Sequence, residues 1–178
     1  MNNTKMSKLA LGISAMVMAG GAWAVNDTST MGASATVAAE CAVGNGGGIA
    51  FSNLTMLDLS TATQTTADST AASTFPAICT NGTGSPTFTY TSANTSGTDF
   101  RFIGGTDAAV FITYTLYPSA DGTGTAIVGG NAVAHPDFTA DGTTKTLNLS
   151  AKILAAAKAA KKVQTYSDTI TITAGWTP

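Results

Sequence analysis

The sequence predicts an all-β protein, folded as an antiparallel sandwich or barrel. Three observations lead there. Short runs alternate apolar and polar residues at period two, and Thr, Ile, Val, Tyr and Phe dominate those runs. Dipeptides with turn chemistry separate the runs at short spacing, which argues against βαβ units. Charged residues are only 10 % of the chain against roughly 25 % in an average soluble protein, while apolar residues reach 44 % and support one core. The formal net charge of -2 provides no field to hold nucleic-acid phosphates. Disorder is excluded as well, since it needs low hydrophobicity and high net charge.

The first element is not part of the fold. Lys5 and Lys8 precede an apolar run, residues 9–19 (LALGISAMVMA), and Ala22-Trp23-Ala24 then supplies small residues around a cleavage position. Residues 1–24 therefore read as a signal peptide. A transmembrane anchor would need about 20 apolar residues, and Gly20-Gly21 interrupts this run too early. The mature protein is expected outside the cytoplasm.

The next alternating run is residues 31–37 (MGASATV), followed by Cys41 and a glycine-rich stretch, residues 44–48 (GNGGG). The glycines lack the Lys-Ser/Thr of a phosphate cradle and read as a flexible turn. Cys79 follows 38 positions after Cys41. In an exported protein this pair reads as a structural disulfide, with two free buried thiols as the alternative. There is no CxxC spacing for a zinc site. Between the cysteines, residues 60–74 (STATQTTADSTAAST) are polar and low in complexity and read as a long surface loop.

Strands are then expected at residues 87–91 (TFTYT), 110–117 (VFITYTLY), 145–150 (KTLNLS) and 169–174 (TITITA). In the last of them Ile170, Ile172, Ala174 and Trp176 should face inward, with Thr169, Thr171 and Thr173 outward. Asn81-Gly82, Gly104-Gly105, Asp121-Gly122, Gly129-Gly130 and Asp141-Gly142 mark the turns. One stretch, residues 151–163 (AKILAAAKAAKKV), consists of good helix formers and carries four cations; it reads as a short solvated helix over one end of the sandwich.

Catalytic chemistry finds few candidates. His135, the only histidine, precedes Pro136 in a turn-like stretch and reads as an exposed loop residue. No G-x-S-x-G, H-E-x-x-H or calcium-loop pattern occurs, so no catalytic residue, metal or cofactor is assigned and the protein is expected to be a non-enzyme without a small-molecule substrate. Asn-x-Ser/Thr matches such as those at Asn53, Asn81, Asn94 and Asn148 are what chance provides in so Thr- and Ser-rich a chain.

Several of these features together resemble the spore-coat-U-type (SCPU) domain, and within it the major pilin of archaic chaperone–usher pili. They are the alternating run before Cys41, Cys41-Ala42-Val43-Gly44 opening a glycine-rich turn, Phe75 to Cys79, and Tyr114-Thr115-Leu116-Tyr117 before an Asp-Gly turn. The most specific is Tyr166-Ser167-Asp168-Thr169-Ile170-Thr171-Ile172-Thr173-Ala174-Gly175-Trp176, similar to the family's closing strand. The resemblance implies an incomplete immunoglobulin-like antiparallel β-sandwich that lacks its last strand and is completed by donor-strand exchange. Residues 25–38 would be the donor segment and residues 39–178 the pilin domain. Met31, Ala33, Ala35 and Val37 would be the donor residues, and Ile170, Ile172, Ala174 and Trp176 would line the groove edge. The implied partners are neighbouring copies of the subunit, a periplasmic chaperone and an outer-membrane usher, with the product a surface pilus serving adhesion and biofilm formation. Two rival functions are a tip adhesin of the same family and a self-contained secreted coat or carbohydrate-binding sandwich. The rival reading of residues 31–37 makes them the first strand of their own sandwich.

Overall fold

The structure, a computed structural model, describes residues 32–51, 54, 57–58, 63–65 and 67–177. The expected signal peptide and Met31 lie outside the described residues. The chain divides into two units, Met1–Ala35 and Thr36–Pro178. In the first, residues 32–35 carry neither strand nor helix and are exposed.

Among the described residues the second unit holds eleven strands and one helical turn. In chain order they are β1 (Cys41–Val43), β2 (Leu57–Asp58), β3 (Thr63–Gln64), β4 (Ser69–Cys79), β5 (Gly84–Ser92), β6 (Phe100–Gly104), β7 (Phe111–Tyr117), β8 (Ala132–Val133), β9 (Lys145–Ile153), α1 (Ala155–Lys158), β10 (Tyr166–Ser167) and β11 (Ile170–Thr177). Every pairing among them is antiparallel. One sheet runs β1-β4-β9-β7-β6-β10, a second β11-β5-β8, and β2 pairs with β3. The fold is thus the expected antiparallel β-sandwich.

Alternation explains the core. Phe75, Ala77 and Cys79 of β4, Ile112, Tyr114 and Leu116 of β7, and Leu147, Leu149, Ala151 and Ile153 of β9 are buried at every second position. Phe88 and Tyr90 of β5 meet them from the second sheet. Phe75 sits at the centre, edge-on to Phe88 at 5.9 Å and to Tyr90 at 6.3 Å between ring centroids. Asn81-Gly82, Asp121-Gly122, Gly129-Gly130 and Asp141-Gly142 form turns as expected, each with the glycine at its second position at positive φ.

Three expectations need correction. Residues 60–74 are not one surface loop: β3 takes Thr63–Gln64, and β4 begins at Ser69, pairing Ser69 to Thr74 with Ile153 to Asn148 of β9. These small residues still alternate half-buried and exposed, so the period survives where the hydrophobicity does not. Nor is 151–163 a solvated helix. Ala151, Lys152 and Ile153 finish β9, held on both sides by β4 and β7, and only the single turn α1 is helical. Two strand partners outweigh an intrinsic preference of a few tenths of a kcal/mol per residue. Lys158 is 2 % exposed, its Nζ donating to the Ala67 carbonyl at 2.7 Å and to Ser69 Oγ at 2.9 Å.

His135 is the third correction. Far from an exposed loop residue, it is 4 % exposed and lies edge-on to Phe75 and Phe88. Its Nε2 is 2.8 Å from the Asn148 carbonyl, and Nδ1 accepts the Asp137 amide at 3.2 Å. A carbonyl can only accept, so the ring hydrogen sits on Nε2. The ring plugs the end of the core, a structural role.

Cys41 and Cys79 form a disulfide, directly opposite one another across the β1–β4 ladder with Cα atoms 4.1 Å apart. It closes a loop of 38 positions, a constraint worth roughly 4 kcal/mol on a chain-entropy argument. Unfolded, unreduced protein should take up no alkylating label and reduced protein two, read by intact mass. Two labels without reductant would rule the bridge out.

Candidate functional site

The site begins with an unpaired strand edge. β11 pairs with β5 from Ile170 opposite Ser92 to Gly175 opposite Thr87, and among the described residues no strand pairs along its other edge. Thr171 and Thr173 point to solvent, while Ile170, Ile172 and Ala174 are half-buried and packed against the core. Trp176 departs from the expected inward set. The register slips between Gly175 and Thr177, so Ser85 and Pro86 both lie opposite Trp176, and Ser85 takes φ 41. This bulge breaks the alternation. The indole ends 38 % exposed.

Beside that edge lies a cavity of about 310 Å³. Its floor is the inner face of the larger sheet, with Phe75, Leu149, Tyr114 and Phe102 contributed in turn by β4, β9, β7 and β6. Ile170 and Ile172 form one wall and residues 46–49 the other. The glycines of this second wall are not a free turn, as the sequence suggested. Gly44 N–H donates to the Pro76 carbonyl at 2.9 Å and Gly47 N–H to the Thr74 carbonyl at 3.0 Å, so the stretch runs on beside β4 after β1 ends. A Cβ at Gly47 would lie 2.7 Å from Ser73 Oγ, and one at Gly44 2.7 Å from Pro76 Cγ. The close approach to β4, rather than turn geometry, leaves little room for a side chain here.

One end of the cavity is polar. Asp168, half-buried, stands where the chain leaves β10 in the larger sheet and enters β11 in the smaller one. Its Oδ2 accepts the Tyr114 hydroxyl at 2.5 Å and the Ser92 hydroxyl at 2.6 Å. Its Oδ1 accepts the Thr169 amide at 2.7 Å and Asn94 Nδ2 at 3.0 Å. Burial, and then the bond to Asp168, push the Tyr114 hydroxyl far above its ordinary range, so it remains a donor. Tyr114 in turn stacks on Phe102 with centroids 4.2 Å apart.

Nothing in this arrangement resembles a nucleophile with its base, and among the described residues no three His, Cys, Asp or Glu side chains are placed to hold a metal. What the trough offers, among the described residues, is a strand edge outside any ladder beside an apolar floor. Those are the two elements that seat an extended peptide.

Of the residues expected to enter such a trough, Met31 lies outside the description. Ala33, Ala35 and Val37 fall in residues 32–38, which have no strand or helix and are exposed throughout, Val37 at 79 %. The rival reading, in which this stretch is the first strand of its own sandwich, has no ladder to support it among the described residues. Ile170 and Ile172, expected at a groove edge, line the cavity, and Phe102, Tyr114, Asp168 and residues 46–49, which were not expected there, line it with them.

The model of a protein family described as the Spore Coat Protein U domain matches residues 27–173. No curated protein matches the chain.

Proposed function

Because the chain belongs to the Spore Coat Protein U domain family, we propose that it is a structural subunit of a bacterial surface pilus, assembled by donor-strand complementation through the chaperone–usher pathway. The observation that carries this reading is the unpaired edge of β11 above an apolar trough. An open apolar edge is a hazard for a soluble protein unless something covers it. The occupant proposed is the 25–38 segment of the next subunit, placed there after a periplasmic chaperone and an outer-membrane usher have held and passed on the subunit. Main-chain bonds to β11 supply affinity, and the alternate residues Met31, Ala33, Ala35 and Val37 supply register. Full burial of Met or Val is worth roughly 1.5–3 kcal/mol and Ala much less, so Met31 and Val37 dominate the side-chain contribution. The polymer serves adhesion and biofilm formation and needs neither cofactor nor catalysis. Chain exchange joins one subunit's segment to the next subunit's trough, so the contact is head-to-tail and open-ended.

The test is mechanical. Material sheared from the cell surface should run as a ladder of multiples after mild detergent and collapse to one band after boiling, since strand-complemented subunits separate only on unfolding. A single band before boiling would defeat the proposal.

A further inference from the structure

A strand is taken up most readily where the wall and the floor of the trough already stand at a fixed spacing. We propose that Asp168 is a positioning residue that keeps the trough open and preformed for strand entry, an inference that rests on the strand-uptake reading above.

Asp168 sits at the crossover from β10 to β11, where the chain passes from one sheet to the other. Both of its oxygens are filled, by two donors each, and those donors come from both sides of the trough. Ser92 and Thr169 belong to the β5–β11 side, whereas Tyr114 belongs to β7 in the floor. The Ser92 hydroxyl also accepts the Asn94 amide at 2.9 Å, which commits its own hydrogen to Asp168. The carboxylate therefore ties the start of the edge strand to the floor ring at a fixed spacing. Charge-assisted bonds to a carboxylate are the shorter and stronger kind, suited to a rigid spacer. The bond to Asp168 fixes the Tyr114 ring in the floor, and Phe102 stacks on it. Preorganisation of this sort speeds binding because the ordering is complete before the ligand arrives.

The experiment uses the full chain, refolded by rapid dilution at low concentration, with a fluorescent synthetic peptide of residues 25–38 as probe. Uptake is followed by anisotropy, and the thermal midpoint of the peptide-filled form is measured alongside. Asp168→Asn should slow uptake about tenfold while moving that midpoint little, because a bound strand then props the trough itself. Tyr114→Phe removes only the floor tie and keeps the ring, so it serves where the Asp168 variant folds poorly, and it should slow uptake in the same sense. A merely structural role predicts instead a lowered midpoint of the filled form with an unchanged rate, and that outcome would overturn the assignment. Unchanged rates in both variants would overturn it too. If the unaltered chain takes up no peptide, the strand-uptake reading itself falls, and this inference with it.

Discussion

Deletion of residues 25–37 is expected to abolish polymer formation while leaving a domain that folds and still accepts a strand. The expectation follows from where the removed atoms lie. Among the described residues of this stretch, 32–37 carry no strand or helix and are exposed. The Cys41–Cys79 bridge and the β1–β4 ladder begin after the deletion and remain intact. The readouts are size-exclusion chromatography of the periplasmic fraction and uptake of the synthetic 25–38 peptide. Loss of the soluble domain, with or without chaperone, would show that the segment is an internal strand after all. A single substitution, Val37→Asp, gives a milder form of the same result. It places a carboxylate where roughly 1.5–3 kcal/mol of aliphatic burial is expected, so polymers should form slowly and dissociate at lower temperature. Normal polymers from that variant would remove Val37 from the donor set.

The parts of the fold that could be read from the sequence are those where burial and side-chain size agree. The expected strands at residues 87–91, 110–117 and 145–150 recur as β5, β7 and β9 because Phe88, Tyr90, Ile112, Leu116 and Leu147 are large and buried at every second position. Where small residues carry the same period, as at Ser69, Ala71 and Ser73, alternation exists without contrast, and the segment imitates a loop. Residues 151–153 misled in the opposite way, since Ala and Lys favour helix while two neighbouring strands dictate β. His135 and Trp176 failed for local reasons, a turn that folds the ring inward and a bulge that turns the indole outward. The site was half legible. Its wall lies in one strand and shows in one alternating run, but the Asp168 clasp joins residues 54 and 76 positions apart. No local pattern reports such a meeting. The motif Tyr166-Ser167-Asp168 was visible, and its partners were not.

Ile172→Asp should be the complementary lesion, a subunit that donates its strand but cannot receive one. Ile172 lies opposite Tyr90 in the β11–β5 ladder and lines the trough. Ile172 is half-buried, so a carboxylate there still reaches water. In the proposed polymer a donated strand would exclude that water, and an ionised group without a partner is costly to bury. The penalty therefore falls more heavily on the filled form than on the empty one, and polymerisation stops at its acceptance step. Mixing the two variants tests the polarity of the contact. The Δ25–37 chain keeps a trough and lacks a donor, and the Ile172→Asp chain has the reverse lesion. Together they should give one-to-one pairs and nothing larger, because a head-to-tail chain ends at a unit that cannot extend it. Each alone should stay monomeric. Where the charge proves too damaging to the fold, Ile172→Ala keeps the wall apolar and leaves a gap. Large-to-small changes at full burial cost about 2–5 kcal/mol, so the filled form should lose most of that and the half-buried empty form less. Full-length polymers from Ile172→Asp, or pairs that grow into longer ladders, would show that strands do not enter beside β11.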